Sequence, residues 1–238
     1  MKTLVYLGPT LSHEEAKKIY PEATYLPPIE CGDLIKAMEA KPERIAIIDG
    51  YFHYRAAVWH KEILYALSQG VEVYGSSSMG ALRAAELYKF GMQGVGEVFN
   101  NFKTGALQDD DEVAVLHASK RSGFTPKTDA MINIRATLSH AIRNNVLSDG
   151  ACNIILSQLK DTFYQDRILN KAIKLYCDNN SVNQDLVVSW LEENYIDVKK
   201  DDAKKLLQLL SLCRKKTIGA LFEFHSTCFF KELLTTTA

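Results

Sequence analysis

The 238-residue chain carries 28 Lys and Arg against 29 Asp and Glu and is 47% hydrophobic. It has apolar material for one large domain or two small ones, and a charge balance that gives neither nucleic acid nor an anionic membrane a global field to follow. Five widely spaced cysteines, odd in number and without a C-x-x-C pair, exclude a disulfide framework and a zinc knuckle and point to a reducing cytoplasm.

The first apolar run, Thr3 to Leu7, is stopped by Gly8 and Pro9 too early for a signal peptide and reads as a buried strand. Ser12 and Glu15 have the spacing of a capping box and open a first helix. A weaker strand pattern at Ala23 to Leu26 precedes a second helix opened by Gly32 and Asp33, and Arg44 to Asp49 is β-branched and apolar again. Periodicity then predicts a helix over Arg55 to Gln69 capped by Gly70, a strand over Val71 to Gly75, and a helix from Ser78 to about Phe90, before Gly91. Gly91, Gly94 and Gly96 follow a helix and lack G-K-[ST], so they mark a bend and not a phosphate loop.

This alternation predicts an α/β protein with a mostly parallel sheet. From Lys127 the strand pattern stops, and Lys160 to Asp178, Asn183 to Tyr195, Asp201 to Lys215 and Ile218 to Leu234 are helix-periodic. The expected organisation is an α/β domain over residues 1–126 and an all-helical region over 127–238. No stretch offers the roughly 20 apolar residues a membrane helix needs, since Ala220 to Phe230 is interrupted by Glu223 and His225.

Ligands of open α/β sheets bind beyond the carboxyl ends of the strands, which here carry Gly8-Pro9-Thr10, Asp49-Gly50 and Gly75-Ser76-Ser77-Ser78. The last is a strand, a tight small-residue turn and a helix, the order of a nucleophile elbow, although of G-x-S-x-G around Ser78 only Gly80 is kept. Ser78 reads either as a helix N-cap or as a nucleophile with the N–H groups of Met79 and Gly80 behind it as oxyanion donors. The candidate bases are His60 and Lys61. Adjacent helical residues diverge by about 100°, which places His60 among Trp59, Ile63, Leu64 and Leu67 and leaves Lys61 reachable at the apolar edge. Lys61 is then either a surface lysine paired with a carboxylate or a partly desolvated base.

Asp109, Asp110, Asp111 and Glu112 precede an apolar stretch, as acidic residues in a helix's first turn do. A metal site is the sharper alternative; because four adjacent carboxylates cannot all face one ion and no His/Cys cluster joins them, no metal is expected, and one of the four could instead orient Lys61. Arg83 and Glu86, three apart on a helix, read as a surface or interface pair, and Arg135 as a residue pairing across the domain junction. Cys31 is the cysteine to test for sulfur chemistry.

Several segments together resemble the TfuA-like family: Tyr-Leu-Gly-Pro-Thr-Leu at 6–11, Leu-Pro-Pro at 26–28, Ile-Asp-Gly at 48–50, Val-Trp-His-Lys-Glu-Ile-Leu at 58–64, Ser-Met-Gly-Ala-Leu-Arg-Ala-Ala-Glu-Leu at 78–87, Gly-Met-x-Gly-Val-Gly at 91–96, Asp-Asp-Asp-Glu-Val-Ala at 109–114 and Asn-Ile-Arg-Ala-Thr-Leu at 133–138. The resemblance implies a cofactor-free partner of a YcaO-like enzyme, releasing sulfide from the C-terminal thiocarboxylate of a ThiS-like sulfur-carrier protein for thioamidation of a peptide or protein. It also implies a Ser/Lys pair, carried over to Ser78 and Lys61. The rival readings are a non-catalytic adaptor that strengthens the hold of the YcaO-like enzyme on its peptide, and a persulfide carrier on Cys31.

Overall fold

The structure, a computed structural model, describes residues 2–213 and 222–237. It divides into two compact units, residues 1–108 with 200–238, and residues 109–199. These boundaries differ from the expected division at residue 126, because the chain from Lys200 returns to the sheet that the N-terminal half builds.

In the first unit β1 (Thr3–Tyr6), β2 (Thr24–Leu26), β3 (Arg44–Ile47), β4 (Glu72–Ser76) and β5 (Gln93–Val95) form one sheet in the order β2-β1-β3-β4-β5, every pairing parallel. The residues of β1, β3 and β4 are all buried, which is why they read as continuous apolar runs without alternation. β5 replaces the expected bend at Gly91 to Gly96. Its Gly94 is required because a Cβ there would stand 2.1 Å from the Phe99 ring.

The strand order reverses direction between β1 and β3, and right-handed crossovers send α1 (His13–Ile19) to one face and α2 (Asp33–Glu39), α3 (His60–Ser68) and α4 (Met79–Leu87) to the other. Beside α1 the first face is completed by α10 (Val198–Leu212), whose Ala203, Leu206, Leu207 and Leu210 pack with Val5, Ala46, Ile48 and Tyr74. Arg44 fastens the end of α10. Fully buried, it pairs with Glu72 at 3.0 Å and donates to the carbonyls of Leu210 at 3.0 Å and Cys213 at 3.3 Å, the last oxygens that a helix C-terminus leaves unsatisfied. After β5 comes α5 (Glu97–Thr104), capped by the buried Asp202 carboxylate, which accepts from Val98 N at 2.8 Å.

α3 starts five residues later than the periodicity predicts. Glu62 accepts from Trp59 N at 2.9 Å and sets the first turn there, and Gly70, with φ +77°, ends the helix as expected. α4 gives way at Leu87 to a 3₁₀ turn, Tyr88–Phe90, which Gly91 closes with φ +104°.

The second unit packs α6 (Met131–Arg143), α7 (Asp149–Asp161), α8 (Leu169–Asn180) and α9 (Gln184–Glu193) around Ile134, Leu138, Ile155, Ile173 and Leu191. The expected single helix from Lys160 to Asp178 is broken between α7 and α8. Buried Arg167 folds back there and donates to the carbonyls of Leu159 at 2.9 Å and Thr162 at 3.1 Å, terminating α7. Of the expected helix Ile218 to Leu234, residues 218–221 lie outside the described residues, residues 222–227 are not helical, and α11 runs Cys228–Thr237. Among the described residues no helix is long and apolar enough to cross a membrane.

The closest packing of helix on sheet is at Gly80 in the first turn of α4. A Cβ there would lie 1.7 Å from the Ile47 carbonyl oxygen, and one on Gly75 would lie 2.0 Å from the Gly80 oxygen. Gly80→Ala should therefore push α4 off the sheet and cost about 3 kcal/mol. Gly150, in the first turn of α7, faces open space, and a Cβ on it would meet nothing within 4 Å. Gly150→Ala should add about 0.5–1 kcal/mol by restricting the unfolded chain. Denaturant midpoints of the two variants, moving in opposite directions, check both.

Candidate functional site

β4 enters α4 through Ser76, Ser77 and Ser78, all buried. Ser76 Oγ donates to Val95 O at 2.7 Å and to Asp202 O at 3.1 Å, tying the end of β4 to β5 and to α10. Ser77 has φ +68°, and Ser78 N donates to Ser76 O at 2.8 Å, so the three residues close a γ-turn of the rare positive-φ kind. A non-glycine residue held this way stores about 1–3 kcal/mol of strain, which the packing of α4 on the sheet must hold in place. Ser78 occupies the N-cap position, but its side chain makes no capping hydrogen bond. Of the two readings of Ser78, side-chain capping is thus not the one the geometry realises.

The other two strand ends do converge on this turn. Asp49, 1% exposed, accepts from Gly8 N at 2.9 Å, Thr10 N at 3.1 Å and Thr10 Oγ1 at 2.6 Å. At the point where the strand order reverses, where anionic ligands of such sheets bind, the N–H groups of the first loop already hold this carboxylate. Gly50 lies against α4, since a Cβ on it would stand 2.7 Å from Met79 Cγ. Gly80 N–H donates to Ile48 O at 3.3 Å, so the expectation that it faces a reacting oxygen is corrected.

His60 is corrected as well: it is not packed. Its side chain is 48% exposed, and Nε2 lies 2.8 Å from Glu86 Oε2. The buried face of α3 is instead Glu62, Ile63, Ala66 and Leu67. Glu86 also takes Arg83 NH1 at 2.7 Å, and Arg83 Nε donates to Val58 O at 3.1 Å, so the Arg83/Glu86 pair braces α4 against the chain entering α3. Glu86 is two helical turns, about 12 Å, along α4 from Ser78. Lys61, next to His60, points to the C-terminal segment: Nζ donates to His225 O at 2.7 Å and lies 5.2 Å from the centroid of the Phe224 ring.

A family model described as TfuA-like protein matches residues 49–168, half of the chain. The chain belongs to the TfuA-like family. This family is associated with thioamidation and its partner proteins. No curated protein sequence matches the chain.

The TfuA-like match begins at Asp49 and takes in a buried acid that the sequence reading passed over. Glu62 is fully buried and accepts from Gly32 N at 2.9 Å as well as from Trp59 N, joining the N-termini of α2 and α3. Burial pushes its pKa up to about 7 against these N–H bonds. A glutamate three residues after the start of a helix, flanked by Ile63 and Ala66, was the available signal. Burial, with Glu62 beside it, pushes the Cys31 thiol up to about 11. A thiol kept protonated at neutral pH is a poor sulfur acceptor, which weighs against the Cys31 carrier reading.

The acidic run, also inside the TfuA-like match, forms a 3₁₀ turn, Asp110–Glu112, and pairs within the second unit. Lys160 Nζ lies 2.9 Å from Asp109, 2.5 Å from Asp111 and 3.1 Å from Glu112. Asp109, Asp111 and Glu112 have the spacing of a cation site, and the Lys160 ammonium sits among them. Arg135 forks onto Glu112 with two bonds of 3.0 Å, and Arg167 reaches Asp111 at 2.7 Å; Asp110 is exposed. Burial alone would raise the Asp111 carboxyl, but hydrogen bonds from Lys160 and Arg167 outweigh it and hold it below its ordinary value.

Glu62 gives a pH prediction. Below its unfolded pKa, near 4.5, both states are protonated; between there and about 7 only the unfolded state ionises, so stability falls as pH rises and then levels off. Glu62→Gln keeps an acceptor for Gly32 N–H and cannot ionise. The difference in melting temperature, wild type minus Glu62→Gln, should decline from pH 4.5 to 7 and be flat above; a difference independent of pH would show that the carboxyl is not perturbed.

Proposed function

We propose that this protein hydrolyses a protein thiocarboxylate and so supplies sulfide for peptide-backbone thioamidation by a YcaO-like enzyme. The observation that carries this reading is the strained turn between β4 and α4, which holds buried Ser78 at the start of a helix beside Met79 and the Asp49-Gly50 strand end. In the proposed reaction Lys61 takes the proton of Ser78, whose oxygen attacks the thiocarboxyl carbon of a ThiS-like carrier. The developing oxyanion is met by Met79 N–H, since Gly80 N–H is directed to Ile48 O. The C–S bond breaks, hydrosulfide leaves, and water cleaves the serine ester to leave a carboxylate on the carrier.

The direction of Lys61, toward His225 O, favours a second reading: a non-catalytic adaptor that strengthens the grip of the YcaO-like enzyme on its peptide substrate. Incubation with a thiocarboxylated carrier separates the two, because the adaptor releases no sulfide. If the hydrolase reading holds, Ser78→Ala and Lys61→Arg each lower sulfide release by about 10²–10⁴-fold with melting temperatures close to wild type. Ser76→Ala should keep its turnover and lose about 1–2 kcal/mol of stability with its bonds to Val95 O and Asp202 O. Full turnover in a folded Ser78→Ala protein would end the assignment.

A further inference from the structure

The segment after the undescribed residues 214–221 lies on α3 without helical structure. Phe222 and Phe224 turn inward and are half-buried, whereas Glu223 and His225 point to solvent. The Phe222 ring stands edge-on to Phe90 at 5.6 Å, and Phe224 packs with Tyr65 at 5.6 Å and Phe230 at 5.4 Å. Phe230, 1% exposed, anchors the start of α11 on the same tyrosine at 5.5 Å. On α3 this segment meets Lys61 and Tyr65, one helical turn apart, and Lys61 Nζ donates to a backbone carbonyl, that of His225.

We infer that residues 222–227 are a displaceable strap that holds Lys61 as a donor. Its ends are fixed by rings, and the described bonds across its middle are the Lys61 hydrogen bond and the contacts of Phe224. A stretch outside helix and strand opens at lower free energy than the helix that follows it. While Lys61 Nζ donates to His225 O the side chain is directed along the strap, so the strap sets the direction in which the proposed base points. That consequence rests on the hydrolase reading, whereas the strap itself does not.

The test uses the full chain, with the surface lysine Lys17 as internal reference. Acetylation of Lys61 by an N-hydroxysuccinimide ester, followed by mass spectrometry, should be about tenfold faster relative to Lys17 in the Phe222→Ala/Phe224→Ala protein than in the wild type, given what two aromatic contacts are worth. Phe224→Leu, which keeps apolar volume but removes the ring over the ammonium, should move the same way and covers the case in which the double variant does not fold. Wild-type acetylation rates in the folded variants overturn the strap. Faster labelling with unchanged sulfide release keeps the strap and removes Lys61 as the base; faster labelling with faster release supports both.

Discussion

The contact on which the rest of the first unit depends is that of the first turn of α4 with the carboxyl ends of β3 and β4. Gly75 and Gly80 let backbone meet backbone there, and Gly80 N–H is drawn into a bond with the carbonyl of Ile48, the residue after β3. With the helix start so deep, the chain leaves β4 in a single tight turn. The strain at Ser77 follows from that, as does the run of small buried residues, Ala81 and Ala84, on the face of α4 against the sheet. Hydroxyls at 76 and 78 are therefore positioned by sheet packing, independently of any capping bond.

Much of this was legible in the residues. β1, β3 and β4 are buried on both faces and show it as apolar runs, and the small-residue elbow identifies itself by strand, turn and helix in sequence. β5 was not legible, because Gln-Gly-Val has little strand propensity and is a strand only by pairing with β4. The error over His60 has one cause: the burial of Glu62. Periodicity counts an acid as solvent-facing, and once Glu62 is placed inside, the buried face rotates by about 60° and His60 emerges on the outside. Arg167 misled in the same way, being an ordinary helix former by composition and a buried stop for α7 in the fold. A periodic pattern shows that α10 has an apolar face, but not which surface will cover it.

Buried and half-buried charges tie this fold together. Lys160 among three carboxylates, Arg135 on Glu112, Arg44 on Glu72 and Asp49 on the first loop bind segments distant in sequence. Arg44, Glu72 and Asp49 in particular need their partners, since one removed leaves the other buried without compensation. The acidic run, which in sequence looks like the first turn of a helix, gathers an ammonium in the fold.

The return of the chain to its own sheet also bears on the order of events during synthesis. Val5, Ala46, Ile48 and Tyr74 are translated early, yet the residues that cover them, Ala203 to Leu210, and the carbonyls that receive Arg44 come after the whole second unit. A ribosome that has made only the five strands has made a sheet with one face partly bare and a guanidinium short of its acceptors. The helical unit, whose contacts are nearer in sequence, is free to form first, and the strands close their second face last. During synthesis the apolar residues on this face of the sheet therefore wait for the last part of the chain to cover them.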